Sequence, residues 1–336
     1  MVPSMKAARI HAYGGPEVLR VEDAPDPSPG PDDVLIEVHA SSVNPIDTKI
    51  RSGVFRLALR YRLPRILGLD VSGVVRAVGA NVTRFKPGDE VWSSPGPKPE
   101  GTYAELTCIP AAEIGRKPTN LSHQEAASLP LVGLTAWQAL VDRAGVQPGE
   151  RVLVQAGSGG VGSVAIQIAK HLGAWVAATC SGRNAELVAS LGADRVIDYT
   201  QEAFDEVLRD LDVVLDTLGP DAMKRARQAL KRGGRLVGVT PDLPSKVKRY
   251  GPLLGLAATG VTIVGHKVGA RCGSGVRSSF VTRRPDAAQL DRLAALCEAG
   301  ALRPVIDRVL PLAAIAEAHA LSETGRARGK IVIAVR

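Results

Sequence analysis

Apolar positions alternate at period two near the N-terminus and recur at helical spacing further along. Val34-Leu35-Ile36-Glu37-Val38-His39-Ala40 puts Val34, Ile36 and Val38 on one face, which predicts a half-buried strand over 33–40. Short strands are predicted over 6–11 and 19–21 as well, broken by Gly14-Gly15-Pro16 and by the proline-rich stretch 25–31. Further strand-like pieces, 71–78 and 89–92, are punctuated by Gly68, Gly73, Gly79 and Pro87-Gly88.

From about residue 125 strands alternate with helical stretches. The strand candidates are 151–155, 175–179, 195–198, 212–216, 235–239 and 261–264. Among the intervening helices, Val161, Val164, Ile168 and Leu172 share a face that Gly173 closes as a C-cap. Six such strands predict a doubly wound parallel sheet. After about residue 275 there is a lone helix over 286–299 and β pieces over 305–310 and 330–335, too little to fold alone. The expected fold class is therefore α/β: a Rossmann domain over 128–271, inserted in a mostly antiparallel β domain made of 1–127 and 272–336.

A chain of 336 residues suits two domains, and 45% hydrophobic with 23% charged residues excludes wholesale disorder. No apolar run approaches the roughly 20 residues of a membrane-spanning helix. Residues 1–10 carry Lys6 and Arg9 but no apolar signal core, so a cytoplasmic protein is expected. Cys108, Cys180, Cys272 and Cys297 each stand alone, and the histidines show no ligand spacing, so no metal site is expected. Gly-x-Ser-x-Gly is absent, which leaves a hydrolase without support. The net charge of 42 − 34 = +8 suits an anionic ligand, a nucleic acid or a membrane surface equally. Few aromatics are available to stack on bases, which disfavours nucleic acid. Arg51, Arg56, Arg60, Arg62 and Arg65, interleaved with Phe55, Leu57, Leu59 and Leu63, form a basic stretch; a solvated helix face is preferred over a contact with RNA or acidic lipid.

The strongest motif follows Val152-Leu153-Val154-Gln155. Ala156-Gly157-Ser158-Gly159-Gly160-Val161-Gly162 runs straight into a helix, the strand–loop–helix setting that a dinucleotide cradle requires. Gly157 permits the tight turn, Gly159 and Gly160 let backbone approach a pyrophosphate, and Gly162 allows close helix packing. The second strand ends Ala178-Thr179-Cys180-Ser181-Gly182-Arg183-Asn184, with no acid to hold ribose hydroxyls. A 2′-phosphate is favoured instead by Ser181, Arg183 and Asn184, so NADP(H) is the expected cofactor. The plainer reading of Arg183 is a cap on a solvated turn.

Residues 42–53 (Ser-Val-Asn-Pro-Ile-Asp-Thr-Lys-Ile-Arg-Ser-Gly), 68–75 (Gly-Leu-Asp-Val-Ser-Gly-Val-Val), the glycine loop, 192–199 (Gly-Ala-Asp-Arg-Val-Ile-Asp-Tyr) and 325–332 (Gly-Arg-Ala-Arg-Gly-Lys-Ile-Val) occur in order. Together they resemble the zinc-free quinone oxidoreductase, or zeta-crystallin-like, branch of the medium-chain dehydrogenase/reductase superfamily, across nearly the whole chain. The resemblance implies a GroES-like catalytic domain and, in the family, a homodimer formed near 261–264. It also implies that Ser158, Gly160 and Val161 meet the pyrophosphate, Ser181 and Tyr199 the adenosine phosphate, and Leu218-Gly219 the nicotinamide ribose. Arg326 and Lys330 correspond to a C-terminal basic contact with the cofactor. Tyr199 also reads as an ordinary strand-end tyrosine, and Lys330 as a solvated edge charge.

Zinc alcohol dehydrogenases of the superfamily have a cysteine ligand where this chain reads Asn44-Pro45-Ile46-Asp47 and a His-Glu pair where it reads Leu69-Asp70. Residues 92–101 also lack the structural-zinc cysteines. Without a Lewis acid, the easier reaction is hydride delivery to an already electrophilic quinone or α,β-unsaturated carbonyl. In the family Asn44 lies at the nicotinamide; it reads equally as a helix N-cap, with Pro45 at N1 and Asp47 in the first turn. Lys49 stands where several members have a tyrosine, either as a proton donor to the reduced acceptor or as a surface lysine. The competing reading is a protein that binds NADPH without turnover and acts as an interaction or RNA-binding partner.

Overall fold

The alternation at Val34, Ile36 and Val38 is the spine of the first sheet. All three are fully buried in the strand Asp33–Val43, which pairs antiparallel with Val71–Val78 on one side and Lys330–Ala334 on the other. The computed structural model describes residues 4–56, 61–96, 100–239 and 275–336. They divide into two units, one running up to Leu134 and resuming over Arg284–Arg336, the other Thr135–Arg283.

In the first unit a seven-stranded sheet has the order Ile306–Pro311, Lys330–Ala334, Asp33–Val43, Val71–Val78, Glu90–Ser93 and Ile114–Arg116, with Leu106–Pro110 pairing back onto Asp33–Val43. A second sheet joins Leu19–Pro25, Ser4–Ile10 and Arg65–Ile66. Gly73 lets two strands of the larger sheet meet, because a Cβ there would lie 2.0 Å from the Glu37 carbonyl oxygen. The C-terminal part also carries the helix Ile315–Glu323, which the hydrophobic pattern does not announce. Its inward residues are Ile315, Ala318 and His319, a small and a polar side chain among three, so the apolar stripe is faint.

In the second unit six strands lie parallel in the order Arg195–Asp198, Trp175–Cys180, Arg151–Val154, Leu211–Asp216, Leu230–Gly238 and Arg277–Phe280. This is the doubly wound order, and the buried Val152, Leu153, Val154, Val213, Val214 and Leu215 show both faces of its centre covered. The sixth strand is Arg277–Phe280; the candidate over 261–264, and with it the expected dimer strand, lies outside the described residues. Because Arg277–Phe280 pairs with Leu230–Gly238, the chain leaves this unit near Arg283 rather than at 271.

Candidate active site

The second unit presents the glycine loop at the carboxyl edge of its sheet. Gly157 N–H donates to the Thr179 carbonyl (2.7 Å) and Ala156 N–H to the Thr179 hydroxyl (3.1 Å), so the loop is tied to the end of the neighbouring strand. Ala156 sits in the left-handed region at φ 52°, which turns the chain into the helix Gly160–His171. A Cβ on Gly162 would lie 2.2 Å from the Ala156 carbonyl oxygen, and one on Gly157 2.9 Å from the Ala178 side chain. The first-turn N–H groups of this helix, with Ser158, Gly159, Gly160 and Val161 half-buried, are left to bind an anion.

The remaining nucleotide candidates of this unit line the same edge. Asn184 is buried, and its amide donates to the hydroxyls of Ser158 (3.0 Å) and Ser181 (3.4 Å). It therefore braces the two turns against each other. Arg183 is exposed, Tyr199 is 64% and Leu218 61% exposed, unusual for large apolar side chains at strand ends. Gly219, at φ 112°, donates its N–H to Asp216 (2.9 Å), and burial pushes the Asp216 carboxyl up to about 6.

The first unit holds a buried polar cluster that sequence reasoning only partly foresaw. Asp70 is fully buried; its Oδ2 accepts from the Ser42 hydroxyl (2.8 Å), the Asn44 amide (2.7 Å) and the Lys330 ammonium (3.2 Å), and its Oδ1 from Leu131 N–H (2.7 Å). Lys330 Nζ also donates to Asn44 Oδ1 at 2.5 Å. The solvated-edge reading of Lys330 is thus corrected: the side chain is buried and its charge is met by Asp70. Its ammonium is committed to that pair and to Asn44, whereas Arg326 is exposed.

Asn44 opens the helix Pro45–Arg51, but its side chain serves Asp70 and Lys330; the cap is supplied by Asp47, whose Oδ2 accepts Asn44 N–H (2.8 Å). Asp47 Oδ2 also accepts the Tyr103 hydroxyl (3.2 Å), while its buried Oδ1 has no hydrogen-bond partner. Burial pushes the Asp47 carboxyl up to about 7, with the Asp70 charge adding to the shift against the backbone bond and Lys330. Lys49 is half-buried rather than a free surface lysine, and burial pushes its ammonium down. Arg51 is likewise no solvated charge: it is 1% exposed, donating to the Gly14 carbonyl and paired with Glu323. Arg51 ends a helix while Arg65 lies in the strand Arg65–Ile66 and stacks on Tyr61, so these two do not share a helical face; residues 57–60, Arg60 among them, lie outside the described residues.

Asp70 is the hub that the chain's pattern hides. Its signals are a lone acid among the mostly apolar residues 68–75 and, through the resemblance, its place where zinc enzymes have a His-Glu pair. Elsewhere in this unit a cavity of about 630 Å³ is lined by Asp33, Glu100, Cys108 and Glu113. Burial pushes the Cys108 thiol up to about 12, which removes it as a nucleophile near neutrality. Among the described residues no group of three His, Cys, Asp or Glu side chains is placed to hold a metal ion, and no helix is long and apolar enough to cross a membrane.

Comparison with known proteins gives two family matches. The alcohol dehydrogenase GroES-like domain matches residues 30–119, and the zinc-binding dehydrogenase family matches residues 191–333. The NAD(P)H oxidoreductase RTN4IP1, mitochondrial, of Mus musculus is 40% identical over 354 residues, covering 98% of this chain and 89% of its own. The 2-methylene-furan-3-one reductase of Solanum lycopersicum is 38% identical over 344 residues, covering 99% of this chain and 80% of its own. Among solved structures, the quinone oxidoreductase from Coxiella burnetii superposes with a TM-score of 0.86 at 35% identity, covering 99% of this chain and all of that one.

Proposed function

This chain belongs to the quinone oxidoreductase branch of the medium-chain dehydrogenase/reductase superfamily, and from that premise we propose that it is a zinc-independent reductase passing hydride from NADPH to a quinone or α,β-unsaturated carbonyl. The observation that carries the reading is the loop Gly157–Gly162 at the carboxyl edge of the 3-2-1-4-5-6 parallel sheet, where added Cβ atoms at Gly157 and Gly162 would collide with the fold. Those residues fit a dinucleotide. The first turn of the helix Gly160–His171 offers N–H donors to the pyrophosphate, and Ser181 and Arg183 offer a hydroxyl and a guanidinium to a 2′-phosphate. The mouse relative's name supports an NAD(P)H-dependent oxidoreductase, and the tomato relative's name supports reduction of an activated acceptor.

A catalytic zinc does not fit the corresponding residues. Asn44 stands where the zinc enzymes have a cysteine, and both Asp70 oxygens are already engaged. An ammonium, Lys330 Nζ, lies 2.5 Å from Asn44 Oδ1 and 3.2 Å from Asp70 Oδ2, so the cluster's positive charge is supplied by the chain itself. A dication there would meet Lys330 as a like charge.

Bound dihydronicotinamide supplies the hydride, and reduction of the acceptor then requires one proton. Lys49 is the side chain we assign to that proton, since burial makes its ammonium a stronger acid than a solvated lysine. Asn44 is held by Asp70 and Lys330 in one orientation, which fits a residue that positions a ligand. The test is NADPH oxidation by chelator-treated protein with 9,10-phenanthrenequinone and, separately, an enone, with NADH run beside each. Turnover with NADPH is expected with at least one acceptor. NADPH binding with no consumption of either acceptor would overturn the reductase and return the non-catalytic reading.

A further inference from the structure

The turn assigned to the 2′-phosphate carries a carboxylate that comes from the neighbouring strand. Asp198 ends the strand Arg195–Asp198 and lies directly across from Cys180, the residue before Ser181. Its Oδ1 accepts both the N–H (3.0 Å) and the hydroxyl (2.8 Å) of Thr200. Its Oδ2 overhangs Gly182 so closely that a Cβ there would sit 2.5 Å away, and a side chain at that position would have to displace the carboxylate. The Thr200 bonds, aided by the Gly182 N–H, hold the carboxyl below its ordinary range, so the group is anionic at neutral pH. Tyr199, also assigned to this subsite, follows Asp198 directly and donates its N–H to the Cys180 carbonyl (3.1 Å).

The charges of the turn therefore oppose each other. Arg183 brings one positive charge, exposed; Asp198 brings one negative charge, and Glu186, exposed in the first turn of the helix Ala185–Ser190, a second. The absence of an acid at the end of the second strand, which favours NADP(H) on sequence grounds, is thus offset by an acid from the third. We propose that Asp198 sets cofactor choice, its carboxylate accepting a ribose hydroxyl and repelling a 2′-phosphate that Arg183 attracts, so that the protein takes NADPH and NADH with only modest discrimination. The inference rests on the dinucleotide reading of the glycine loop. A carboxylate offers about four lone-pair sites, so after three donors it keeps capacity for one ribose hydroxyl. The repulsion acts through solvent between exposed groups and is screened by salt.

The experiment titrates wild-type protein, Asp198→Asn and Arg183→Gln with NADPH and NADH at low and high ionic strength. For wild type the two dissociation constants are expected to lie within about tenfold at low salt, as charges of both signs face the phosphate. Asp198→Asn removes the charge and keeps one acceptor oxygen, which can serve the two Thr200 donors while the Gly182 N–H loses its partner. It is expected to tighten NADPH by about three- to tenfold, leave NADH unchanged or slightly weaker, and lose most of that gain at high salt. Arg183→Gln is expected to shift the ratio the opposite way. Equal changes for both nucleotides in Asp198→Asn, or a gain that persists at high salt, would reduce Asp198 to a turn-holding residue and overturn the proposal. Failure of wild type to bind either nucleotide would overturn the dinucleotide reading on which it rests.

Discussion

Asp47 is a carboxyl placed where an ionised one is expensive. It is buried beside the fully buried Asp70, with one oxygen unpartnered, and the folded protein holds its proton up to about pH 7 while an unfolded chain releases it near 4. Between those values the unfolded state binds fewer protons than the folded one, so this group's contribution to stability is fully present below pH 4 and falls as pH rises, by about 1.4 kcal/mol per pH unit. Asp47→Asn removes the titration and keeps an acceptor for Asn44 N–H. Its stability relative to wild type is expected to climb through pH 4 to 7 and level off above 7, read by denaturant unfolding at several pH values. Parallel curves for the two proteins would refute it. Lys330 shows the same economics from the other side: breaking a buried pair such as Lys330–Asp70 costs about 3–5 kcal/mol because the survivor stays charged and unpaired. The sequence displays Asn44, Asp47, Asp70 and Lys330 as separate residues, up to 286 positions apart, and nothing local says that they meet.

At the level of elements, local pattern was a good guide to the strands of the second unit. The predicted strands over 175–179, 195–198 and 212–216 reappear as Trp175–Cys180, Arg195–Asp198 and Leu211–Asp216. The fifth, predicted over 235–239, begins earlier, at Leu230, because Leu230 pairs with Leu211 across a register shift and the polar Lys231, Arg232 and Gly233 between are solvent-facing. The glycine loop was legible because Gly157 and Gly162 answer steric demands. Gly162→Ala puts a methyl 2.2 Å from a backbone oxygen that has no side-chain freedom to yield. We expect it to cost about 1–3 kcal/mol of stability through overpacking and to weaken NADPH binding at least tenfold, measured by thermal unfolding and fluorescence titration. Unchanged affinity would show that the loop does not hold the nucleotide.

Over the whole molecule, two units assemble from a chain that leaves the first and returns to it. Composition permitted this and the strand count suggested it, yet the return point shifts to Arg284, since the strand Arg277–Phe280 is claimed by the second sheet. With Lys330 supplying the positive charge at Asn44 and Asp70, prolonged treatment with a strong chelator is expected to leave both the melting temperature and the quinone-dependent turnover unchanged. A fall in either that zinc restores would refute the zinc-independent reading.

Sequence alone determined what depends on neighbours along the chain: the half-buried strand at Val34–Val38, the glycine cradle before a helix, the cap position of Asn44 and the repeated strand–helix order of the second unit. Tertiary structure decided what depends on pairs distant in sequence. It turned Lys330 from a solvated charge into the partner of Asp70, tied Asn184 to the glycine loop through Ser158, buried Arg51 against Gly14 and Glu323, and brought Asp198 over Gly182. The physical reason is common to all four. Backbone preferences and hydrophobic periodicity act over a few residues, whereas the environment of a charge is set by whatever the fold packs around it.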